Sequence, residues 1–414
     1  MDDGPDYSRY ERYALEELRF VRERVDPKKD PEKALKLDEE IARRSGPQVS
    51  EQPQYLSLEF RGSAGEYFRI WIVNLCLSLV TCGIFSAWAK VRKKRYLYSH
   101  TTLDGTPFQY LGRPIPVLKG RLIAGIGVLV YYISSHFVTS LLPYVLGAGL
   151  IAAPWVIARS AAFNARYSAF RNMTLHFDGG YWDAVKMLYA WAILPFFAIG
   201  IAYKWSGTEL HSAIIMSIVG VASAVFGFSF PWFIKRLKKF IIEHTSFGGK
   251  NGSFTATGKQ FFKVYFRSGL ITIAVSIPTF MILGFLTWVG ARKWSFPPYL
   301  MAVPGYLGYV LAYAFVQSRS GNLVWNHTRL GPLSFQSTLP WWGLVKLYAT
   351  NALGIVFSLG LLIPWAVMRT LKYRVDNMQV VREGDILEFR GSDRGEVAAV
   401  GAEAIDFFDV DLSL

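Results

Sequence analysis

Arg92-Lys93-Lys94-Arg95-Tyr96-Leu97-Tyr98-Ser99-His100-Thr101 leads into Leu103-Asp104-Gly105 and, eighteen residues past Thr101, into Lys119 at the head of an apolar run. The same polar frame returns as Arg236, His244-Thr245 and Lys263, and again as Arg319, His327-Thr328 and Lys346. In each copy the arginine stands nine residues before the threonine and the lysine eighteen after it. A period of roughly 70–85 residues is too long for a solenoid unit of about 20–50. It suits a membrane protein built by duplicating a helix pair.

The composition agrees. The 414-residue chain is 52% hydrophobic and only 18% charged, with a mean hydropathy of +0.23. A soluble chain carries more charge, about a quarter of its residues. The net charge of +14 sits at the ends of apolar segments, where the positive-inside rule and anionic headgroups explain it. Nucleic acid is therefore not an expected partner. Residues 1–50 are charged and contain no apolar core, so the N-terminus is expected in the cytoplasm. Cys76 and Cys82 share one apolar segment and read as small core residues.

Working outward, apolar segments lie at about 68–90, 121–141, 143–158, 187–203, 212–234, 264–289, 297–318 and 347–368. Basic loops at 92–120, 159–186, 235–263 and 319–346 alternate with short turns, which puts those loops and both termini inside. Leu56, Leu58 and Phe60 alternate as a strand does. Asp104-Gly105 is a strong hairpin signal. Phe177-Asp178-Gly179-Gly180, Gly248-Gly249 and Leu330-Gly331-Pro332 are assigned the same place in their copies, and Val380 to Phe389 a last hairpin.

The expected fold is thus an all-α polytopic membrane protein with small cytoplasmic β hairpins. Its pseudosymmetric helix-pair repeats give six spans plus two end segments, 68–90 and 347–368, that are re-entrant or single-span, for up to eight. Three parts are expected: a cytoplasmic helical cap at 1–50, in which Asp30-Pro31 starts a helix, a repeat-built membrane domain at 55–390, and an acidic tail at 391–414.

One stretch is more specific. Phe60-Arg61-Gly62, Glu66-Tyr67-Phe68, Asn74 and Gly83-Ile84-Phe85-Ser86-Ala87-Trp88-Ala89-Lys90-Val91-Arg92, followed by Leu103-Asp104-Gly105, resemble the YjgN-like family. These are bacterial inner-membrane proteins built on a domain of unknown function. The resemblance runs from about residue 55 to the C-terminus. It implies a polytopic inner-membrane protein and supplies no activity and no catalytic residues.

No nucleotide loop, nucleophile elbow, His-Glu-x-x-His or paired Cys-x-x-Cys motif occurs, so no enzyme and no cofactor are expected. Apolar segments lack interior Asp and Glu, which counts against a carboxylate-based proton pump. Two sets of residues remain. His100, His244 and His327 would make a metal site if pseudosymmetry gathered them; otherwise each imidazole hydrogen-bonds within its own loop. Arg92, Lys119, Arg236, Lys263, Arg319, Lys346 and Arg369 either anchor helix ends on anionic lipid or form a cationic vestibule for an anionic substrate. Trp88, Trp232 and Trp365 lie four residues before an arginine, as an interfacial aromatic belt does. Two functions are therefore carried forward: a transporter or channel for a small anionic or amphipathic solute, and a non-transporting scaffold or lipid-binding protein with residues 1–50 docking a protein partner.

Overall fold

The computed structural model describes residues 18, 20–22, 24, 25, 29–45, 53–171, 173–189, 212–290 and 302–383. It divides into two compact units. In the smaller, Met1–Pro53 with Glu383–Asp385, helix α1 (Pro31–Ser45) buries Ala34 and Leu37, and Leu18 is buried too. There Arg22 holds the Asp38 carboxyl below its ordinary pKa, chiefly through a 2.7 Å hydrogen bond. The expected acidic tail and the partner strand of the Val380 run lie outside the described residues.

The larger unit alternates short strands with helix pairs. Its elements are β1 (Gln54–Leu56), β2 (Leu58–Phe60), α2 (Ala64–Val80), α3 (Ser86–Ser99), β3 (Thr101–Leu103), β4 (Thr106–Tyr110), α4 (Pro114–His136), α5 (Leu142–Tyr167), β5 (Ser168–Phe170), β6 (Met173–Thr174) and β7 (His176–Phe177). Then come α6 (181–189), α7 (Ser212–Glu243), β8 (Thr245–Phe247), β9 (Lys250–Phe254), α8 (Gly258–Gly290), α9 (Val303–Asn326), β10 (Thr328–Leu330), β11 (Leu333–Ser337), α10 (Trp341–Phe357), α11 (Ile363–Asp376) and β12 (Met378–Arg382). Among the described residues three helical stretches, Pro114–His136, Thr139–Tyr167 and Gly258–Val289, are long and apolar enough to cross a membrane.

The all-α expectation needs correcting, because the hairpins are not isolated. They pair edge to edge into two antiparallel sheets, ordered β1-β12-β11-β10-β9-β8-β7 and β2-β3-β4-β5-β6. Only Ser57 separates β1 from β2, and only Leu175 separates β6 from β7. Each sheet therefore hands its edge strand to the other at both ends, and the ladder closes on itself. Joining the sheets end to end in this way shortens the exposed edges. Every second strand residue points inward, and Leu56, Leu103, Phe170, Phe247, Leu333 and Val380 fill the interior. Phe108 and Phe335 pack against them.

The turns explain the register. Asp104 and Gly105 both take positive φ, 50° and 72°, as do Gly248 and Gly249, 58° and 81°. That is the two-residue hairpin geometry matching strand twist. Between β5 and β6 the left-handed position falls on Arg171, φ 49°. This overturns the turn assigned to Phe177–Gly180, which instead leads out of β7 toward α6. Gly179 there lets the Phe177 ring lie over its backbone, as Gly62 does for Phe60 and Gly112 for Tyr110.

The segments 68–90 and 347–368 are each two helices. Thr81–Phe85 joins α2 to α3, and Ser358–Leu362 joins α10 to α11. Both tips carry the same cap. Cys82 and Leu359 adopt φ near 50°. Gly83 N–H donates to Ser78 O at 2.7 Å and Gly360 N–H to Ile355 O at 2.8 Å, the Schellman pattern. Thr81 Oγ1 then accepts from Phe85 N–H and Ser358 Oγ from Leu362 N–H, both at 2.9 Å, starting the second helix. Cys76 and Cys82 are exposed on this hairpin and not in a core.

Successive pairs touch in sequence order: α3 packs on α4 and α5 through Ala87, Val91, Val117 and Phe163. The circle closes where α11 meets α2, through Met368, Val375 and Tyr67.

Candidate functional site

Each helix pair is tied at its base by one backbone hydrogen bond. The N–H groups of Arg61, Leu111, Asp178, Thr255 and Thr338, just past a strand, donate to the carbonyls of His100, Tyr167, His244, His327 and Asn377, at the end of the pair's second helix. The distances run from 2.9 to 3.1 Å. The repeated histidines are thus helix-end residues. Their Nδ1–H groups donate to the carbonyls of Tyr96, Phe240 and Leu323 at 2.7, 2.9 and 2.9 Å. The hydroxyls of Thr101, Thr245 and Thr328 do the same one residue on, to Leu97, Ile241 and Val324. The Thr hydroxyl thus satisfies a carbonyl of the last helical turn, and the His ring adds a second donor one residue earlier. Ser168 and Asn377 serve the other two pairs, reaching Asn164 O and Tyr373 O at 2.8 Å.

With Nδ1 donating, Nε2 is the acceptor nitrogen. In His327 it lies 3.3 Å from the Gln260 amide, which donates to it. In His100 it lies 3.8 Å from Glu66. The three imidazoles cap three different helices, and among the described residues no three His, Cys, Asp or Glu side chains are grouped for a metal.

The cations fall on the same frame. Eight residues after each base donor stands Arg69, Lys119, Lys186, Lys263 or Lys346. Eight residues before each base acceptor stands Arg92, Arg159, Arg236, Arg319 or Arg369. At about 1.5 Å per residue, both tiers stand roughly 12 Å along their helices from the sheets. Each arginine has an aromatic residue four positions before it: Trp88, Trp155, Trp232, Phe315 and Trp365. Three of these guanidinium carbons lie near the ring centroid: Arg159 at 6.0 Å, Arg319 at 6.0 Å and Arg369 at 5.0 Å, within cation–π range.

Arg159 is absent from the set that the sequence singled out. Its helix ends in Tyr167-Ser168, so the His-Thr marker is absent; Trp155 was the available signal. In the two short hairpins the arginine turns inward. Arg92 donates to Asn74 Oδ1 at 3.4 Å and Arg369 to Asn351 Oδ1 at 3.2 Å. Arg369 also donates to Thr350 Oγ1 at 2.6 Å. Both asparagines are buried, 7% and 6% exposed.

Apolar helices standing on a closed ring of strands, with a basic belt above it, define an integral membrane protein. The chain belongs to the family described as bacterial protein of unknown function (DUF898), whose model matches residues 55–407. It is 26% identical over 210 residues to the inner membrane protein YjgN of Escherichia coli O157:H7, covering 46% of this chain and 50% of that protein. Over 54 residues it is 44% identical to inner membrane protein YjgN of Salmonella typhimurium, covering 13% of this chain and 14% of that one. The chain thus spans half the length, or less, of the curated relatives it matches. No solved structure matches it. These likenesses and the apolar helices make it a protein of the bacterial inner membrane.

Proposed function

We propose that the protein moves a small anionic, amphipathic solute across or within the inner membrane. The observation that carries this reading is the basic belt, two cations at matched heights on every helix pair, in helices whose apolar segments hold no interior carboxylate. An anion gains from such a field most where water is scarce. The strand ring beneath is filled with apolar side chains, which favours entry from the bilayer over a straight aqueous path along the axis.

The same reading takes the middle pairs as six spans and the two short hairpins as re-entrant. Their tips support it. Non-helical backbone at membrane depth must have its polar groups satisfied, and the caps at 81–85 and 358–362 do this locally. Leu79, Val80, Ile84, Phe357 and Leu359 at the tips are exposed and apolar, as lipid contact requires. Both ends of each hairpin return to the strands, which supports the charge rule's reading that the basic loops face the cytoplasm.

Proteoliposomes test it. A fluorescent anionic amphipath should cross faster with the protein than in protein-free vesicles, and a zwitterionic analogue should not. Equal rates with and without protein would leave the scaffold or lipid-binding reading.

A further inference from the structure

We propose that the two short hairpins form a lateral notch that holds the phosphate of an anionic phospholipid, with Arg92 and Arg369 as the anion-holding residues. This deepens the reading above and rests on it for the hairpins' place in the bilayer.

The hairpins are neighbours although far apart in sequence: β1 pairs with β12, and β2 and α2 pack on α11 through Phe60, Tyr67, Met368 and Val375. Their four helices have 17, 14, 17 and 14 residues, against 23, 26, 33 and 24 in α4, α5, α8 and α9. At ~1.5 Å per residue a short helix rises about 21–25 Å and a tall one about 35–50 Å. Four low helices side by side leave a gap in the wall on the bilayer side.

The gap has two chemistries at two levels. Its rim is the apolar pair of tips. Midway down each hairpin sits a buried asparagine bonded to an arginine, Asn74 to Arg92 and Asn351 to Arg369, with Thr350 beside the second pair. The four helices carry ten Lys and Arg residues against Glu66 and Asp376 alone. Glu66 lies near the strands, where Tyr96 donates to it at 3.1 Å. A free phosphate would answer the charge and leave the apolar rim unmatched. A ligand with acyl chains and one negative headgroup answers both. Guanidinium is suited to it because its fork binds phosphate oxygens in pairs.

The test uses the full chain in nanodiscs of equal phosphatidylglycerol and phosphatidylcholine, followed by mass spectrometry of retained lipid. Wild type should enrich phosphatidylglycerol. Arg92→Gln with Arg369→Gln should cut that enrichment on the order of tenfold. Arg113→Gln with Arg329→Gln, at the level of the strands and outside the belt, should keep it. Arg92→Lys with Arg369→Lys, which preserves the charge, should restore most of it and so separates lost binding from lost folding. Unchanged enrichment in the Gln pair overturns the notch. Displacement of the lipid by excess inorganic phosphate overturns the lipid as its ligand. Solute flux with an unaltered lipid profile would defeat the notch and leave the proposed function. Selective lipid loss without flux in wild type would defeat the proposed function and leave the notch.

Discussion

Asn351 and Arg369 lie eighteen residues apart on opposite legs of a helical hairpin and meet at 3.2 Å, as Asn74 and Arg92 do at 3.4 Å at the same separation. The two contacts are not energetically alike. Asn351 Nδ2 also reaches Thr370 Oγ1 at 3.0 Å and Ala366 O at 3.4 Å. Asn351→Ala should therefore cost more than Arg369→Ala, because it strips three partners from a buried site. A buried polar group left unsatisfied costs about 1–3 kcal/mol. Unfolding in detergent should rank the two variants in that order.

The histidines should behave as helix caps. His100→Ala, His244→Ala and His327→Ala each remove one hydrogen bond, net about 0.5–1.5 kcal/mol. They sit on separate helix ends, so the losses should add. A shared metal centre would act otherwise, with any single substitution releasing bound zinc and the second and third adding little. Zinc content and melting temperature across the seven variants distinguish the two.

Gly62, Gly112 and Gly179 each lie under the ring of the aromatic residue two positions earlier. A methyl group there meets Phe60, Tyr110 or Phe177, and overpacking costs about 1–3 kcal/mol. Gly125→Ala, where nothing stands within 4 Å, should leave stability unchanged. Equal melting temperatures for Gly112→Ala and Gly125→Ala would contradict the close approach.

Arg159 and Arg166 stand about two turns, roughly 10 Å, apart on α5, but only Arg159 is in register with the belt. Arg159→Gln should weaken association with anionic vesicles, by about 1 kcal/mol, and Arg166→Gln should weaken it less. Co-sedimentation at low salt measures this.

Topology can be read by thiol labelling in a background lacking Cys76 and Cys82. Probes at residues 50 and 98 should label from the same face, and so should 345 and 376. Opposite-face labelling within either pair would replace the re-entrant hairpins with single spans.

The His-Thr frame located three helix ends, because a helix terminus must satisfy its carbonyls and these side chains do it locally. It was silent at Tyr167 and Asn377, since the base hydrogen bond uses backbone atoms that any residue supplies. Asp104-Gly105 and Gly248-Gly249 were legible as turns because left-handed backbone favours such residues. Arg171 adopts the same conformation unannounced, so the glycines at 179 and 180 drew the turn to the wrong place. Pairing between distant hairpins left no trace. Strands of two to five residues that find partners far along the chain have no period of their own, which is why an all-α fold was expected where two joined sheets stand. Spacing left both readings of the three histidines open for the same reason: separation along a chain says nothing about distance across it.

The seam between β1 and β12 gives the molecule a history. The first strand to leave the ribosome must wait for the last, some 320 residues later. Until then two raw edges flank a half-built cylinder, and an exposed edge is a template for pairing with another chain. A nascent protein stalled before Met378 is thus the form most prone to join its neighbours, and the arrival of β12 is the moment at which that seam becomes deaf to them.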